Sequence, residues 1–175
     1  MKRLGLLRHA KSDWDDMSKR DFDRGLNDRG RRGAALMGEH IRESGAKWDH
    51  ILASPAERVK RTLEAADLGV ETSYRERAYL GDSPTLMGLL REMPDEYDAI
   101  LLASHNPGMQ ELALDLVPVE GENALYNEVM MKYPTASYAV LELDIESWAE
   151  LDAGCGQLVH FARPRDLDPE LGPDS

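Results

Sequence analysis

Two histidines and two arginines define the chemistry this chain could do: Arg8-His9, Arg58 within Ser54-Pro55-Ala56-Glu57-Arg58, and His105 within Ser104-His105-Asn106-Pro107. A neutral imidazole is a competent nucleophile near pH 7, because its unperturbed pKa is about 6.5. Guanidinium groups hold phosphoryl oxygens with bidentate geometry and need no metal ion to do it. Such a set suits phosphoryl transfer. Attack by an imidazole nitrogen splits the transfer into two in-line displacements, and the arginines stabilise charge spread over the equatorial oxygens. His105 would act as a cationic or hydrogen-bond-donating partner. Any one of these residues alone is an ordinary strand-end, helix-start or surface residue; their positions join them.

Short apolar runs alternate with longer helical patterns, the sequence form of a layered α/β domain with a largely parallel sheet. Leu4–Leu7 reads as a first strand, Trp48–Ala53 as a second and Ala99–Ala103 as the most apolar one. A helix is expected from the cap Asn27 to Gly45, carrying Ala34, Ala35, Met37 and Ile41. Ser54-Pro55 and Ser83-Pro84 read as cap and first-turn pairs, and Asn106-Pro107 opens a further helix. Ala136–Leu143 and Gln157–Ala162 read as later strands that pair as a hairpin. Each of the first three strands delivers one of the chemical segments at its carboxyl end, the end at which open parallel sheets bind ligands. Two helix N-termini would aim backbone N–H groups at the same crevice. The result would be a phosphate site.

With 175 residues and 42% hydrophobic content, the chain fits one domain with its own core. Residues 1–165 would form it, and the Pro- and acid-rich stretch 166–175 would be a frayed tail. The 21 basic and 33 acidic residues give a net charge of -12, which argues against nucleic-acid binding and makes any phosphate site a local concentration of positive charge. The single Cys155 excludes an internal disulfide, and no Cys/His cluster suggests a metal, so a reducing cytoplasm is expected. No stretch is long enough to span a bilayer. Lys11 and Ser12 are expected at the pocket rim, with Asn106 as a further phosphate contact. Arg29, Arg31 and Arg32 read as a solvated face, His40, His50 and His160 as structural or exposed, and Met130-Met131 as core packing.

The segments Leu7-Arg8-His9-Ala10-Lys11-Ser12, Leu26-Asn27-Asp28-Arg29-Gly30, Ser54 to Arg58 with Thr62, and Ser104-His105-Asn106-Pro107-Gly108 resemble, in order and spacing over roughly residues 1–145, the histidine phosphatase superfamily. Within it they are similar to the short SixA-type phosphohistidine phosphatases. The resemblance implies a three-layer α/β/α sandwich of the phosphoglycerate mutase-like kind. It implies that His9 is phosphorylated, that Arg8, Arg58 and His105 hold the phosphoryl oxygens, and that neither metal nor cofactor takes part.

Members of that superfamily acting on phosphomonoesters use a carboxylate to protonate the leaving alkoxide. Glu76 and Asp82 are the candidates in the corresponding region, and neither sits in an unmistakable motif. That ambiguity favours a leaving group needing little help, such as the imidazole of a phosphohistidine. The short stretch from Arg58 to His105 has no room for a lid domain, so the pocket would admit a protein surface. The expected partner is a phosphorylated protein, for instance a histidine-phosphotransfer domain, or a small phosphorylated metabolite. The alternatives are a small-molecule phosphomonoesterase on the same scaffold, a mutase, and a non-catalytic phosphate-binding module.

Overall fold

The computed structural model describes residues 1–172 of the chain. β1 (Lys2–Arg8) leads to α1 (Asp28–Glu43), β2 (His50–Ala53), α2 (Glu57–Ala66), β3 (Thr72–Tyr74), α3 (Ser83–Arg91) and β4 (Ala99–Ser104). Then come α4 (Gly108–Asp115), α5 (Ala124–Met131), β5 (Tyr138–Leu143), β6 (Gly156–Ala162) and a short α6 (Pro164–Leu167). The strands form one sheet in the order β3-β2-β4-β1-β5-β6. The first four in that order pair in parallel, and β5 runs antiparallel to both its neighbours. This is the expected α/β fold with a mostly parallel sheet, and β5 and β6 pair as the expected hairpin.

Alternation along the strands assigns the two faces. Ile100 and Leu102 of β4, with Leu4 and Leu6 of β1, pack under Leu86, Leu90, Leu112 and Val129 of α3, α4 and α5. Leu101 and Ala103 face the other way with Leu7, against Met37 and Ile41 of α1 and Val59 of α2. Each such fully buried aliphatic side chain is worth roughly 1.5–3 kcal/mol of transfer free energy. The consequence is a stiff three-layer frame in which Arg8 lies level with Ser104, and Ala53 level with Ala103. The carboxyl ends of β1, β2 and β4 are therefore neighbours.

Several local expectations are revised. Ser54 does not cap α2, which starts at Glu57 with Ala56 before it; Ser54 turns its hydroxyl to His105 instead. α3 is capped by Asp82, whose carboxylate accepts from Thr85 N at 2.9 Å, and Ser83 sits in the first turn. Met130 and Met131 are exposed, not core, because α5 buries only Val129. His40 and His160 are structural, as expected, each the other's partner, hydrogen bonded at 2.8 Å with stacked rings. β3 and α5 have no counterpart among the expected elements; β3 is a three-residue edge strand with no buried side chain.

Where a frayed tail was expected from residue 166, the chain is packed through residue 172. α6 carries the reciprocal Arg163–Asp166 contacts, Arg32 reaches Asp168 and Glu170, and Leu171 is buried. Part of the charge on α1 thus serves this segment instead of facing solvent alone, and residues 173–175 of that expectation lie outside the described residues. Among the described residues no helix is long and apolar enough to cross a membrane.

Candidate active site

β1 ends in Arg8, and the chain beyond it is fixed from three sides. His9 N donates to Ser104 O at 3.1 Å, and Ala136 N donates to the carbonyls of Arg8 and His9. Ala10 N donates to Thr62 Oγ1 at 2.8 Å, and that hydroxyl donates to Arg58 O at 2.7 Å. Thr62 thereby locks the turn carrying His9 to the first turn of α2, which carries Arg58.

The His9 side chain is 8% exposed, and its Nδ1 lies 2.8 Å from Ala10 O. A carbonyl only accepts, so Nδ1 carries the proton and Nε2 keeps a free lone pair. Burial, helped by His105, Arg8 and Arg58, lowers the pKa of His9 to about 3 against the opposing Ala10 hydrogen bond. The ring is neutral at pH 7 and nucleophilic at Nε2.

His105 lies against it, with ring centroids 5.2 Å apart. The turn into α4 fixes its backbone, because His105 O accepts from Met109 N at 3.0 Å. Gly108 is required beside it, since a Cβ there would stand 2.0 Å from Gly81 O. His105 is 1% exposed, and burial followed by Arg58 lowers its pKa to about 3, so the ring itself is neutral at pH 7. Its Nε2 lies 2.7 Å from Ser54 Oγ, which also accepts from Ala56 N at 3.2 Å. Ser54 Oγ can donate its hydroxyl proton to His105 Nε2, the arrangement that puts the ring proton on Nδ1. That Nδ1 is buried and has no hydrogen-bond partner.

Arg8 donates from Nη1 to Tyr133 O at 2.9 Å, while its buried Nε has no partner. Burial lowers its pKa, with Arg58 adding, though a guanidinium stays charged. Arg58, 5% exposed, is held by a residue absent from the sequence-based candidates: Nη1 donates to Asp21 O at 2.8 Å and Nη2 to Asp21 Oδ2 at 3.0 Å. Tyr79 OH donates to the same Oδ2 at 2.5 Å, and its ring meets His105 edge-on at 5.4 Å. Burial alone would raise the Asp21 pKa, but the Tyr79 hydrogen bond and the Arg58 charge outweigh it and hold it below the usual carboxylate range. No periodic signal marked Asp21, which lies in a short 3-10 turn (Asp21–Asp23) in a polar loop.

The four expected groups therefore converge, and two of their buried nitrogens lack partners. A bound oxyanion would supply what His105 Nδ1 and Arg8 Nε lack. The other candidates are placed differently. Lys11 and Ser12 lie on the segment whose carbonyls accept from Asn27 N and Asn27 Nδ2, at the start of α1. Asn106 uses both ends of its amide, donating to Tyr133 O and accepting from Gln110 N. Asp82 caps α3, with hydrogen bonds from Thr85 lowering its pKa, and as an ionised cap it holds no proton to deliver. Glu76 is exposed on the 3-10 turn Glu76–Ala78. Among the described residues no group of three or more His, Cys, Asp or Glu could hold a metal ion.

Residues 4–83 match the model of the histidine phosphatase superfamily (branch 1). An uncharacterized protein of Mycobacterium tuberculosis is 34% identical over 160 residues, covering 91% of this chain and all of that protein. One from Mycobacterium leprae is 32% identical over 164 residues, with 91% of this chain and 100% of that protein covered. Among solved structures, SixA from Agrobacterium tumefaciens is 29% identical with a TM-score of 0.77, over 93% of this chain and 98% of that one. The protein histidine phosphatase SixA solved with tungstate has a TM-score of 0.75 at 21% identity, over 95% of this chain and 99% of that one.

Proposed function

We propose that this chain, which belongs to the histidine phosphatase superfamily and is a phosphatase, works without a metal through a phosphohistidine on His9, and that its substrate is a phosphorylated protein, foremost one carrying phosphohistidine. The observation that carries the reading is the state of His9: a buried neutral ring whose proton is tied to Ala10 O, with the His105 ring 5.2 Å away and unpartnered buried nitrogens on His105 and on the adjacent Arg8. Nε2 attacks phosphorus while Arg8, Arg58 and His105 Nδ1–H stabilise the equatorial oxygens, and water then hydrolyses phospho-His9. The likeness to SixA, described in its tungstate complex as a protein histidine phosphatase, supports the substrate class. So does Asp82, whose carboxylate is engaged as the cap of α3 and is held ionised.

Rapid quenching during turnover is expected to trap phosphate that is stable to base, labile to acid and mapped to His9. His9→Ala abolishes trapping and turnover together, and excess chelator changes neither. Label on His105, Ser12 or Ser54 would overturn these residue roles. Turnover abolished by chelator and restored by a divalent ion would overturn the metal-free mechanism. A panel comparing a phosphorylated histidine-phosphotransfer domain, sugar phosphates and p-nitrophenyl phosphate separates a phosphoprotein phosphatase from a phosphomonoesterase.

A further inference from the structure

Asp21 is the one carboxylate, among the described residues, that bonds to the phosphate-binding groups: it pairs with Arg58 at 3.0 Å, accepts from Tyr79 OH at 2.5 Å, and acts electrostatically on His105. It is the exposed member of the site. Its side chain is 43% exposed, whereas His9 on the floor is 8% exposed, and Asp21 is absent from the charges acting on His9. In an in-line displacement the leaving group departs on the side opposite the nucleophile, so from buried His9 it would leave toward the exposed side of the site, and Asp21 is the more exposed of the two groups. The position of Asp21 is built in, because buried Arg24 donates to Asp16 O and Lys19 O and pins the loop that leads to it. Both Asp21 contacts fall on Oδ2, and Oδ1 has no hydrogen-bond partner among the described residues.

Resting on the function proposed above, we infer that Asp21 is a specificity residue, whose free Oδ1 accepts a hydrogen bond from the distal ring N–H of a departing histidine and so selects phosphoramidates over phosphate esters. The chemistry balances without a proton donor. A phosphohistidine with a proton on its distal ring nitrogen is an imidazolium. When His9 Nε2 bonds to phosphorus, the pair of the breaking P–N bond returns to the substrate ring, which leaves as neutral imidazole with its N–H in place. A carboxylate against that N–H stabilises the cationic ring before transfer. An alkoxide has no such N–H and needs a proton, which a carboxylate ionised by Arg58 and Tyr79 does not hold. The same group thus favours one substrate class and fails the other.

The test compares wild type, Asp21→Asn and Asp21→Ala on phosphoimidazole, a phosphohistidine peptide and p-nitrophenyl phosphate, whose leaving group needs neither proton nor partner. Asp21→Asn keeps an oxygen for Arg58 and Tyr79 and removes only the charge. The expected result is a loss in kcat/KM of roughly ten- to hundredfold on both phosphoramidates, the worth of one charge-assisted hydrogen bond. Because Asp21 also holds Arg58, the p-nitrophenyl phosphate rate falls too, and the expected signature in Asp21→Asn is a phosphoramidate loss at least tenfold larger than the p-nitrophenyl phosphate loss. Equal losses on all three substrates would overturn the inference, since Asp21 would then act only through Arg58. Undiminished phosphoramidate turnover in both variants would overturn it as well. A wild type that hydrolyses p-nitrophenyl phosphate but neither phosphoramidate would sink the proposed substrate class before any variant is made.

Discussion

Neutral, buried His9 and His105 imply an acid sensitivity whose size can be worked out. Both have a pKa of about 3 in the folded protein, against 6.5 for the ordinary side chain. As pH falls through 6.5, the unfolded chain takes up these protons and the folded one does not, so stability is full above that value and is lost steadily toward 3. Between about pH 7.5 and about pH 5, the linkage integral gives a loss of about 2 kcal/mol for each histidine. The pair then accounts for about 4 kcal/mol of a total of roughly 5–15 kcal/mol for an ordinary domain. At pH 5 this figure barely depends on the folded value, because both rings would be unprotonated there. Urea unfolding followed by tryptophan fluorescence, in phosphate-free buffer at the two pH values, measures the difference directly. His9→Asn and His105→Asn should each shrink it by about 2 kcal/mol, and the double variant by about 4, whatever each does to absolute stability. If the pH difference is the same in wild type and all three variants, the two rings ionise freely in the folded protein and the nucleophile argument built on their neutrality fails.

Arg58→Ala should lower turnover by about 10² to 10³, the usual cost of one preorganised oxyanion donor, and a near-normal rate would return Arg58 to a structural role. Ser54→Ala removes the hydroxyl that holds the His105 proton on Nδ1; nitrogen NMR should show that ring shifting toward the Nε2–H tautomer with weaker phosphate binding, and an unchanged tautomer would refute the assignment. Gly30→Ala places a Cβ 2.2 Å from Lys11 O and should cost on the order of 1–3 kcal/mol in unfolding experiments, with wild-type stability refuting the close packing of α1 on the turn after His9.

That Arg8, His9, Arg58 and His105 would meet was readable because fold and chemistry speak together at a strand end. A short apolar run stops where a polar segment begins, and a parallel sheet brings all such stops to one edge. Asn27 was likewise readable as a cap, and its side chain accepts from Gly30 N at 2.7 Å. Asp21 was not, since a carboxylate in a loop without hydrophobic period looks like any solvated acid, and only tertiary packing brings it to Arg58, 37 residues away. Ser54 before Pro55 matched a cap pattern, but the buried histidine competed successfully for its hydroxyl. The His40–His160 pair spans 120 residues, and no local pattern announces a contact that depends on α1 lying over β6. The same blindness applied to the tail, whose acidic composition suggested solvent while Asp168 and Glu170 answer Arg32 of α1.

The Ala10 carbonyl serves His9 in both halves of the proposed cycle. Before transfer it keeps the proton on Nδ1, so the Nε2 lone pair faces the phosphoryl group. Once Nε2 bonds to phosphorus, that same N–H makes the ring an imidazolium, which is the more reactive form of a phosphohistidine. Water attack then returns the P–N electron pair to Nε2, and the original neutral tautomer reappears with no proton having moved on the ring. A substrate histidine would undergo the reverse change beside Asp21, from imidazolium to neutral imidazole with its distal N–H in place. The two ends of the pocket differ in the acceptor. A carboxylate holds a cationic ring more strongly than a carbonyl does, so under the proposal Asp21 keeps the substrate ring protonated, the form from which the phosphoryl group transfers. Under the two proposals together, each ring keeps its own N–H through the transfer, the nucleophile's against the Ala10 carbonyl and the leaving histidine's against Asp21.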